Sequence, residues 1–383
     1  MRIVVDLQML APGALNGGIK LLIVGQIRSL KERYPGRFLF TFLVSRVLAS
    51  ELRSAFPDWH LVCVSKRPQP LATHPGMRLS LRGRWALRHA DLLYAPVWFS
   101  PFHSPRRPTV AMFVDMLHRE HPEMLSGEAE RVWRDEIIGY SVTTAARIQT
   151  ISDAMVEAVR KHYGLPVDRL FRTYPPLRAR RGETGIETAP QTRSGFLYPA
   201  NFWPHKNHAL LLEGYGRYRQ RAGDGAWALL LTGHEDLQRK GALEAQARGL
   251  GLDARDVQFL GFIGDSEFET LWKRTGGMIF PSLYEGFAMP LIEAMHFRVP
   301  IAASNIPAIA EVSGGAALLF DPRDPSAIAD AMFQLSSRPG FREELATKGA
   351  VRLQDFDSDE QVDRLAEGFI SVIQESKQRA VAR

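Results

Sequence analysis

Short apolar runs alternate with helical segments along this chain of 383 residues, and the alternation occurs in two successive sets. Strands that alternate with helices predict parallel β-sheets connected by crossover helices. Because each set contains enough strands for its own sheet, we expect an α/β protein with two Rossmann-like, doubly wound domains facing a cleft. Ligands of such folds bind beyond the carboxyl ends of the strands, so the cleft is the expected site.

The predicted elements follow from the apolar runs and the helical periodicity. In the first half, strands are predicted at 3–5, 38–44, 61–64, 92–94, 109–113 and 147–151, and helices at 19–34, 128–145 and 153–162. In the second half, strands are predicted at 195–198, 227–231, 257–260, 278–280 and 299–302, and helices at 207–220, 237–249, 265–273, 290–297, 325–335, 341–352 and 361–374.

Residues 175–194 separate the two sets. They are rich in proline, arginine and glycine and lack apolar periodicity, which is typical of an interdomain linker. We predict an N-terminal domain at 1–177, a linker at 178–194 and a C-terminal domain at 195–360. A C-terminal helix at 361–383 completes the chain, and packing back on the N-terminal domain is one arrangement for it.

Composition limits the class of protein. The hydrophobic fraction of 45% and the charged fraction of 23% are ordinary for a globular protein. No segment approaches the about 18 uncharged apolar residues of a membrane span, and the first residues lack the pattern of a signal peptide. The single cysteine, Cys63, excludes an internal disulfide and fits a reducing compartment. We therefore expect a cytoplasmic protein.

The net charge of +6 is unevenly distributed, because no acidic residue occurs between Leu61 and Ala90. A basic stretch with interleaved apolar residues suits the anionic inner face of a membrane, but a solvated basic helix explains it equally well. Nucleic-acid binding is disfavoured because no recognised binding motif accompanies the charge. The stretch contains Lys66, Arg67, Arg78, Arg82, Arg84 and Arg88 among Leu79, Leu81, Trp85 and Leu87.

Two glutamates, Glu285 and Glu293, lie on either side of a predicted helix start. The apolar run 276–281 predicts a strand that ends at Pro281, and Pro290 suits a first helical position. Glu285 then lies in a tight strand-to-helix loop, where a carboxylate can accept hydrogen bonds from sugar hydroxyls. Gly286 and the helix N-terminus suit a diphosphate. The plainer interpretation of such glutamates is a favourable helix-dipole contact or a solvated face.

The residues around this pair resemble the donor-binding signature of retaining glycosyltransferases of family 4, which have the GT-B architecture. The resemblance implies transfer of a hexose, of the mannose or glucose type, from a nucleotide diphosphate sugar to a hydroxyl with retention of configuration. It implies that Glu285 holds sugar hydroxyls and that Glu293 holds ribose hydroxyls. The matching positions are Pro281, Ser282, Glu285, Gly286, Phe287, Pro290, Glu293, Ala294 and Met295, with Ala288 among the donor-binding residues.

A second motif follows the first strand of the second half. Residues 202–208, Phe-Trp-Pro-His-Lys-Asn-His, resemble those of a subgroup of the same family. The resemblance implies that Lys206 binds the diphosphate, with His205 and Asn207 beside it. A lysine there would stabilise the leaving group, although a lysine at a helix start is more often a solvated charge. Gly233 ends the next strand and should border the nucleotide.

The first half contributes two further candidate groups. Gly17 and Gly18 follow the first strand and open a helix, so their amides can approach phosphate, as in the similar loop of the family. Lys20 stands where many relatives have glycine. Asp115 and His118 match the subgroup pattern Pro-Asp-x-x-His, which implies that they line the sugar site. A lone histidine is more often structural, and Val114 stands where many relatives have histidine.

Two other functions are compatible with this sequence. A nucleotide-sugar epimerase or hydrolase of the same architecture would use Asp115 and His118 to activate water or abstract a proton. A sugar-nucleotide-binding protein without activity would only keep the fold. Residues 355–359 imitate an Asp-x-Asp metal motif, but their place between two helices favours a cap, and no spacing suggests a metal site.

The expected ligands follow from the resemblance. The donor is a GDP- or UDP-linked sugar, and neither a metal nor another cofactor is expected. The acceptor is a saccharide or a lipid-linked saccharide of bacterial polysaccharide assembly, and no nucleic-acid partner is expected.

Overall fold

The computed structural model describes residues 1–13, 18–66, 77–104, 107–176, 193–234 and 236–382. The chain forms two compact units, Met1–Pro176 with Ser358–Arg383, and Leu177–Asp357. Most of the predicted linker at 178–194 lies outside the described residues, as do Gly17 and residues 67–76 of the basic stretch.

The first unit is built on one sheet. Within its described residues, the strands are β1 Arg2–Asp6, β2 Leu39–Val44, β3 His60–Lys66, β4 Met77–Leu79, β5 Leu92–Ala95, β6 Thr109–Phe113, β7 Arg147–Thr150 and β8 Leu170–Arg172. Their order is β4-β3-β2-β1-β5-β6-β7-β8, and every pair is parallel except β3 with β4. Strands β5 and β6 are almost wholly apolar and buried, as parallel strands covered on both faces must be.

The helices of the first unit cover this sheet. They are α1 Gly18–Arg33, α2 Arg46–Ala55, α3 Leu81–Arg88, α4 Leu117–Glu120, α5 Glu128–Thr144, α6 Asp153–Tyr163 and, from the end of the chain, α14 Ser358–Val381. In α14, Phe369 is fully buried and packs edge-on against Tyr94, with 5.0 Å between ring centroids. A Cβ on Gly368 would come within 2.6 Å of the Phe171 ring, so glycine permits this close approach. The C-terminal helix is therefore part of the core of the first unit.

The second unit contains an all-parallel sheet. Its described strands are β9 Ser194–Pro199, β10 Leu229–Thr232, β11 Val257–Gly261, β12 Thr275–Phe280, β13 Ile301–Ser304 and β14 Ala317–Phe320, in the order β11-β10-β9-β12-β13-β14. Its helices are α7 His208–Ala222, α8 Leu237–Gly249, α9 Asp265–Arg274, α10 Met289–His296, α11 Pro307–Ser313, α12 Pro325–Ser337 and α13 Pro339–Arg352. The sequence patterns do not predict β4, β8, β14, α2, α4 or α11. Except for the ten-residue α2, these elements are too short to carry a clear periodicity.

Each sheet reverses its strand order at one point. The reversal lies between β1 and β5 in the first unit and between β9 and β12 in the second. Where the order reverses, the connections on the two sides leave in opposite directions, which opens a crevice at the carboxyl ends of the two central strands. Both units therefore have the predicted doubly wound arrangement, and each has one crevice where a ligand is expected.

Candidate active site

The crevice of the second unit brings together two predicted residues that are far apart in sequence. Lys206 ends the short 3-10 turn Pro204–Lys206 after β9, and Glu285 lies in the loop after β12. Lys206 Nζ donates to Glu285 Oε1 over 2.6 Å. The two side chains are 13% and 11% exposed, so the ion pair is largely shielded but still reachable from solvent. The strand topology thus places a cation and a carboxylate side by side where ligands of this fold bind.

Backbone and side-chain hydrogen bonds fix the two loops to each other. Leu283 N donates to His205 O over 2.7 Å. Asn207 Nδ2 donates to Pro281 O over 3.0 Å and to Pro322 O over 2.8 Å. Asn207 is buried and has φ of 60°, in the left-handed region that asparagine tolerates better than most residues. Because its side-chain amide group donates to two backbone carbonyls, Asn207 acts here as a cross-link between loops.

A buried aromatic cluster supports the loops from below. The Tyr198 hydroxyl lies 2.7 Å from Lys206 O and 3.0 Å from Ser282 Oγ. The ring of His208 lies 4.8 Å from that of Tyr198 and 4.7 Å from that of Phe202. Burial lowers the pKa of His208 to about 3, with a smaller contribution from the charge of Lys206. His208 is therefore neutral at physiological pH and acts as a packed ring.

These contacts divide the motif at 202–208 into two sets of residues. The first set, Phe202, Asn207 and His208, is buried and supports the loop that carries Lys206. The second set is accessible, with Trp203 40% exposed and His205 and Lys206 partly exposed. The Trp203 and His205 rings lie 5.6 Å apart. In this arrangement the side chains of the accessible set are the ones open to solvent and therefore to a ligand.

The loop after β12 continues into α10, as the sequence predicts. Gly286 is partly exposed, whereas Phe287 is buried and packs edge-on against Phe356 with 5.8 Å between centroids. Ala288 has φ of 78°, which is uncommon for a residue with a Cβ and indicates local strain. Glu293 is partly exposed on α10, one turn beyond its start. The Phe287–Phe356 contact thus anchors the loop that follows Glu285, and the surrounding packing must impose the uncommon φ of Ala288.

Gly233 ends β10 beside this crevice. A Cβ at this position would lie 2.3 Å from Ala200 O, so only glycine permits the close approach of the two strand ends. The next residue, His234, donates its backbone N–H to Asn201 Oδ1 over 2.8 Å. The structure therefore places Gly233 next to the segment that leads to Lys206.

Two predicted residues lie in the first unit, after β6. Asp115 Oδ1 accepts from Leu117 N and from Arg134 Nη1, each over 3.1 Å. The His118 side chain is fully buried, with Nε2 3.2 Å from the Tyr163 hydroxyl and 3.3 Å from Asp135 Oδ1.

Burial lowers the pKa of His118 to about 4, against the opposing effect of Asp135. His118 is therefore a neutral, packed histidine in these contacts, and Asp115 orders a helix start and an arginine. Gly18, one of the two glycines predicted to approach phosphate, is the exposed first residue of α1. Lys20 pairs with Glu51 over 2.6 Å and also contacts Gly13 O.

Three buried polar residues that the motifs do not mark lie at the carboxyl end of β1, beside the crevice of the first unit. Asp6, at the end of β1, accepts from Ser100 Oγ over 2.6 Å and from Gln8 Nε2 over 2.8 Å. All three side chains are buried, and burial raises the pKa of Asp6 against the effect of these hydrogen bonds. A polar residue that ends an apolar strand was the available sequence signal for Asp6. Tyr198 had none, because a tyrosine in an apolar strand looks like core.

Two aspartates of segment 355–359, which imitates an Asp-x-Asp motif, form ion pairs with arginines. Asp355 pairs with Arg352 over 2.6 Å, and Asp359 pairs with Arg33 over 2.8 Å. Among the described residues, no cluster of three or more His, Cys, Asp or Glu side chains has the arrangement of a metal site. Within the same residues, none of the helices has the length and apolarity needed to span a bilayer.

Comparison with known proteins places this geometry in context. Residues 193–338 match the family described as glycosyl transferases group 1. The chain is 27% identical over 307 residues to O-antigen chain mannosyltransferase B of Escherichia coli, covering 76% of this chain and 77% of the relative. It is 28% identical over 324 residues to the D-rhamnosyltransferase WbpZ of Pseudomonas aeruginosa, covering 77% of this chain and 82% of that relative.

The fold is also shared with solved structures. The crystal structure of Anabaena HepE in complex with UDP and glucose superposes with a TM-score of 0.72 at 18% sequence identity, covering 97% of this chain and all of HepE. The predicted fold class is confirmed by this match.

Proposed function

We propose that this chain, a glycosyltransferase with the GT-B fold, moves a hexose of the mannose or glucose type from a nucleotide diphosphate sugar to a hydroxyl of a saccharide acceptor. The observation that carries the proposal is the Lys206–Glu285 pair at the crevice of the second unit. A donor of this class presents a diphosphate and neutral hydroxyls next to each other. An adjacent cation and carboxylate complement both groups.

The charges of Lys206 and Glu285 complement those that develop when the bond between the sugar and the diphosphate breaks. Cleavage of the bond between the sugar and the diphosphate builds positive charge on the sugar and negative charge on the departing oxygen. Lys206 and the amides at the start of α10 would stabilise the negative charge. Glu285 would accept hydrogen bonds from sugar hydroxyls, and Glu293 from ribose hydroxyls. Because an ammonium group has three N–H donors, Lys206 can contact phosphate and keep Glu285 as a partner.

We further propose that the anomeric configuration is retained and that no metal is needed. The acceptor oxygen would bond to the anomeric carbon on the face from which the diphosphate departs, and its proton would pass to the departing phosphate oxygen. This route requires no nucleophile from the protein. It is supported by Glu285, whose carboxylate is already engaged by Lys206, and by the lysine itself, which supplies the charge that a metal would otherwise supply.

We propose a role in bacterial polysaccharide assembly in the cytoplasm, and the names of two relatives support the polysaccharide part of this proposal. One is named for the O-antigen chain, and the two are named for different sugars, mannose and D-rhamnose. HepE was solved with UDP and glucose. We propose a GDP- or UDP-linked donor and a saccharide or lipid-linked saccharide acceptor on this basis.

The first experiment is a thermal-shift screen against UDP, GDP, ADP and their sugars in EDTA, followed by a transfer assay with the stabilising donor. We expect one nucleotide to raise the melting temperature without metal, and NMR of the product to show the donor's anomeric configuration. Inversion would refute the retaining mechanism. Strict dependence on added divalent metal would refute metal independence, and release of sugar to water with every acceptor would refute the transferase assignment.

We propose that α3 of the first unit brings the enzyme to a lipid-linked acceptor at the inner face of the membrane. Gly83, Ala86 and Leu87 are buried in the unit, whereas Leu81 and Trp85 are 82% and 59% exposed. Exposed arginines lie on the same helix, namely Arg82, Arg84 and Arg88. Exposed apolar side chains among arginines suit an anionic lipid surface.

Vesicle sedimentation tests this surface. The double variant Leu81→Ser with Trp85→Ser should lose binding to vesicles that contain phosphatidylglycerol and should retain transfer to a water-soluble acceptor. The matched control is Val351→Ser, which changes an exposed valine of the second unit. Equal binding by the double variant and the control would refute a role for α3.

A further inference from the structure

We infer that Tyr198 is a positioning residue of the active site, whose hydroxyl holds the Lys206 loop and the Glu285 loop at a fixed separation. The inference rests on the proposed function of the Lys206–Glu285 pair. Neither motif includes Tyr198, which lies within β9 and is fully buried beneath both loops.

The hydrogen-bond pattern allows one assignment of donors. Lys206 O is a carbonyl oxygen and only accepts, so the single Tyr198 proton goes to it over 2.7 Å. The 3.0 Å contact with Ser282 must then be donated by the Ser282 hydroxyl to the phenol oxygen. Burial raises the pKa of Tyr198 well above its ordinary value, so the phenol keeps this proton at any physiological pH. One oxygen atom thus bridges the two loops.

The ring cannot easily move away from this position. It packs edge-on against Phe280, with 5.3 Å between centroids, and lies 4.8 Å from the His208 ring. Both neighbours are buried, and Phe280 belongs to β12. The phenol oxygen is therefore fixed by the core of the sheet, and the bridge transmits that fixed position to the loops.

Both ends of the bridge lie close to the functional groups. The accepting carbonyl belongs to Lys206 itself, and Ser282 precedes Glu285 by three positions. When a donor draws Lys206 towards its diphosphate, the direct Lys206–Glu285 contact contributes less to the separation of the loops. The Tyr198 bridge, the Leu283–His205 hydrogen bond and the Asn207 cross-link then set it. Misplacement of reacting groups by about 1 Å can lower a rate by about a hundredfold.

The test compares Tyr198→Phe with the matched control Tyr215→Phe. Tyr215 is also buried in the second unit, and its hydroxyl donates to the backbone oxygen of Trp227 over 3.1 Å, within a contact remote from both motifs. Both variants lose one buried hydroxyl and should lose similar thermal stability. We expect only Tyr198→Phe to lower kcat, by about ten- to a hundredfold, with a smaller change in the KM for the donor.

A second variant tests the bridge itself. Ser282→Ala should also lower kcat. The double variant Tyr198→Phe with Ser282→Ala should be no slower than the slower single variant, because both substitutions break the same bridge between the two loops. If Tyr198→Phe does not fold, Ser282→Ala compared with Tyr215→Phe decides the question.

Equal kcat values for Tyr198→Phe and Tyr215→Phe, or fully additive effects in the double variant, would overturn the inference. Absence of transfer by the unmodified chain would instead refute the proposed function, so the two failures are distinguishable.

Discussion

The two units have the same kind of crevice, but different polar residues lie beside it in each unit. Between β1 and β5, Asp6 is buried and receives hydrogen bonds from Ser100 and Gln8. Between β9 and β12, Lys206 and Glu285 form an ion pair that remains partly accessible. Doubly wound topology therefore fixes where strand ends meet, and the residues placed there decide whether the crevice stabilises the unit or offers groups to a ligand.

The electrostatic consequences differ in the same way. Burial raises the pKa of Asp6, so its carboxylate is costly and depends on its hydrogen bonds. In the second unit, each charge of the pair is balanced by the other, and the polar contacts beneath the pair come from the neutral groups of Tyr198, Ser282 and Asn207. We expect substitutions in the first crevice to affect stability and those in the second to affect transfer.

Loss of Glu285 should have the largest effect. We expect Glu285→Ala to abolish transfer, with a fall of about a thousandfold or more, because the sugar loses its carboxylate partner and Lys206 its counter-charge. Circular dichroism should show a folded chain. The control is Glu344→Ala, which breaks a surface pair with Lys348 of similar length, 2.7 Å. Full activity of Glu285→Ala would refute the site.

Loss of Lys206 should follow closely. Lys206→Met keeps most of the side-chain length but removes the charge, and we expect kcat to fall by about a hundred- to a thousandfold because the leaving diphosphate is no longer neutralised. Lys273→Met, which breaks the exposed pair with Glu269, is the matched control and should leave kcat unchanged. A Lys206→Met enzyme as fast as this control would remove the lysine from the mechanism.

Ser100→Ala tests the opposite behaviour in the first unit. Removal of the hydroxyl leaves Asp6 with one hydrogen-bond donor fewer, which should lower the free energy of unfolding by about 1–3 kcal/mol. Urea denaturation measures the loss, and kcat should stay within about twofold of the parent. The contrasting variant is Ser282→Ala in the second crevice, for which the larger change should be in kcat. A large fall in kcat for Ser100→Ala would break the distinction between the crevices.

The last prediction concerns the two buried histidines, and it depends on pH rather than on activity. Burial lowers the pKa of His118 to about 4 and that of His208 to about 3, below the ordinary value near 6.5. The unfolded chain therefore binds more protons between about pH 6.5 and 4. The stability from each neutral histidine is complete above about pH 6.5 and is lost as the pH falls, at about 1.4 kcal/mol per pH unit.

Urea midpoints at pH 7, 6 and 5 measure this slope. His208→Phe, which preserves an aromatic ring in the cluster, should reduce it in the second unit, and His118→Gln should reduce it in the first. An unchanged slope in both variants would show that neither histidine is held neutral by the fold.

Much of the site's local structure follows from the sequence. The apolar run before Pro281 and the proline at 290 predict a strand, a loop and a helix, and β12 ends at Phe280 while α10 begins at Met289. The predicted bounds of β6 and α8 agree with the structure to the residue. The glycosyltransferase prediction, which rests on the motifs around Glu285 and Lys206, is confirmed by the comparisons.

Other features of the site depend on contacts that no local pattern contains. Asn207 looks like a ligand-binding residue, but its amide is spent on the carbonyls of Pro281 and Pro322. His118 looks like a sugar-site residue, but its side chain is fully buried beside Tyr163 and Asp135. Tyr198 looks like core, but its hydroxyl connects two loops. In each case at least one partner lies more than 40 residues away in sequence, namely Pro281 and Pro322 for Asn207, Tyr163 for His118 and Ser282 for Tyr198.

The sequence by itself determined the two α/β units, the loops that carry Lys206 and Glu285, and the chemical class of the reaction. Apolar periodicity, proline positions and short motifs act over a few residues, so they can be recognised without knowledge of the fold. Only the tertiary structure decided that β9 lies beside β12 and that Lys206 meets Glu285 above Tyr198. Strand order is set by the packing of whole sheets and helices, and contacts between strand ends exist only once that packing is complete.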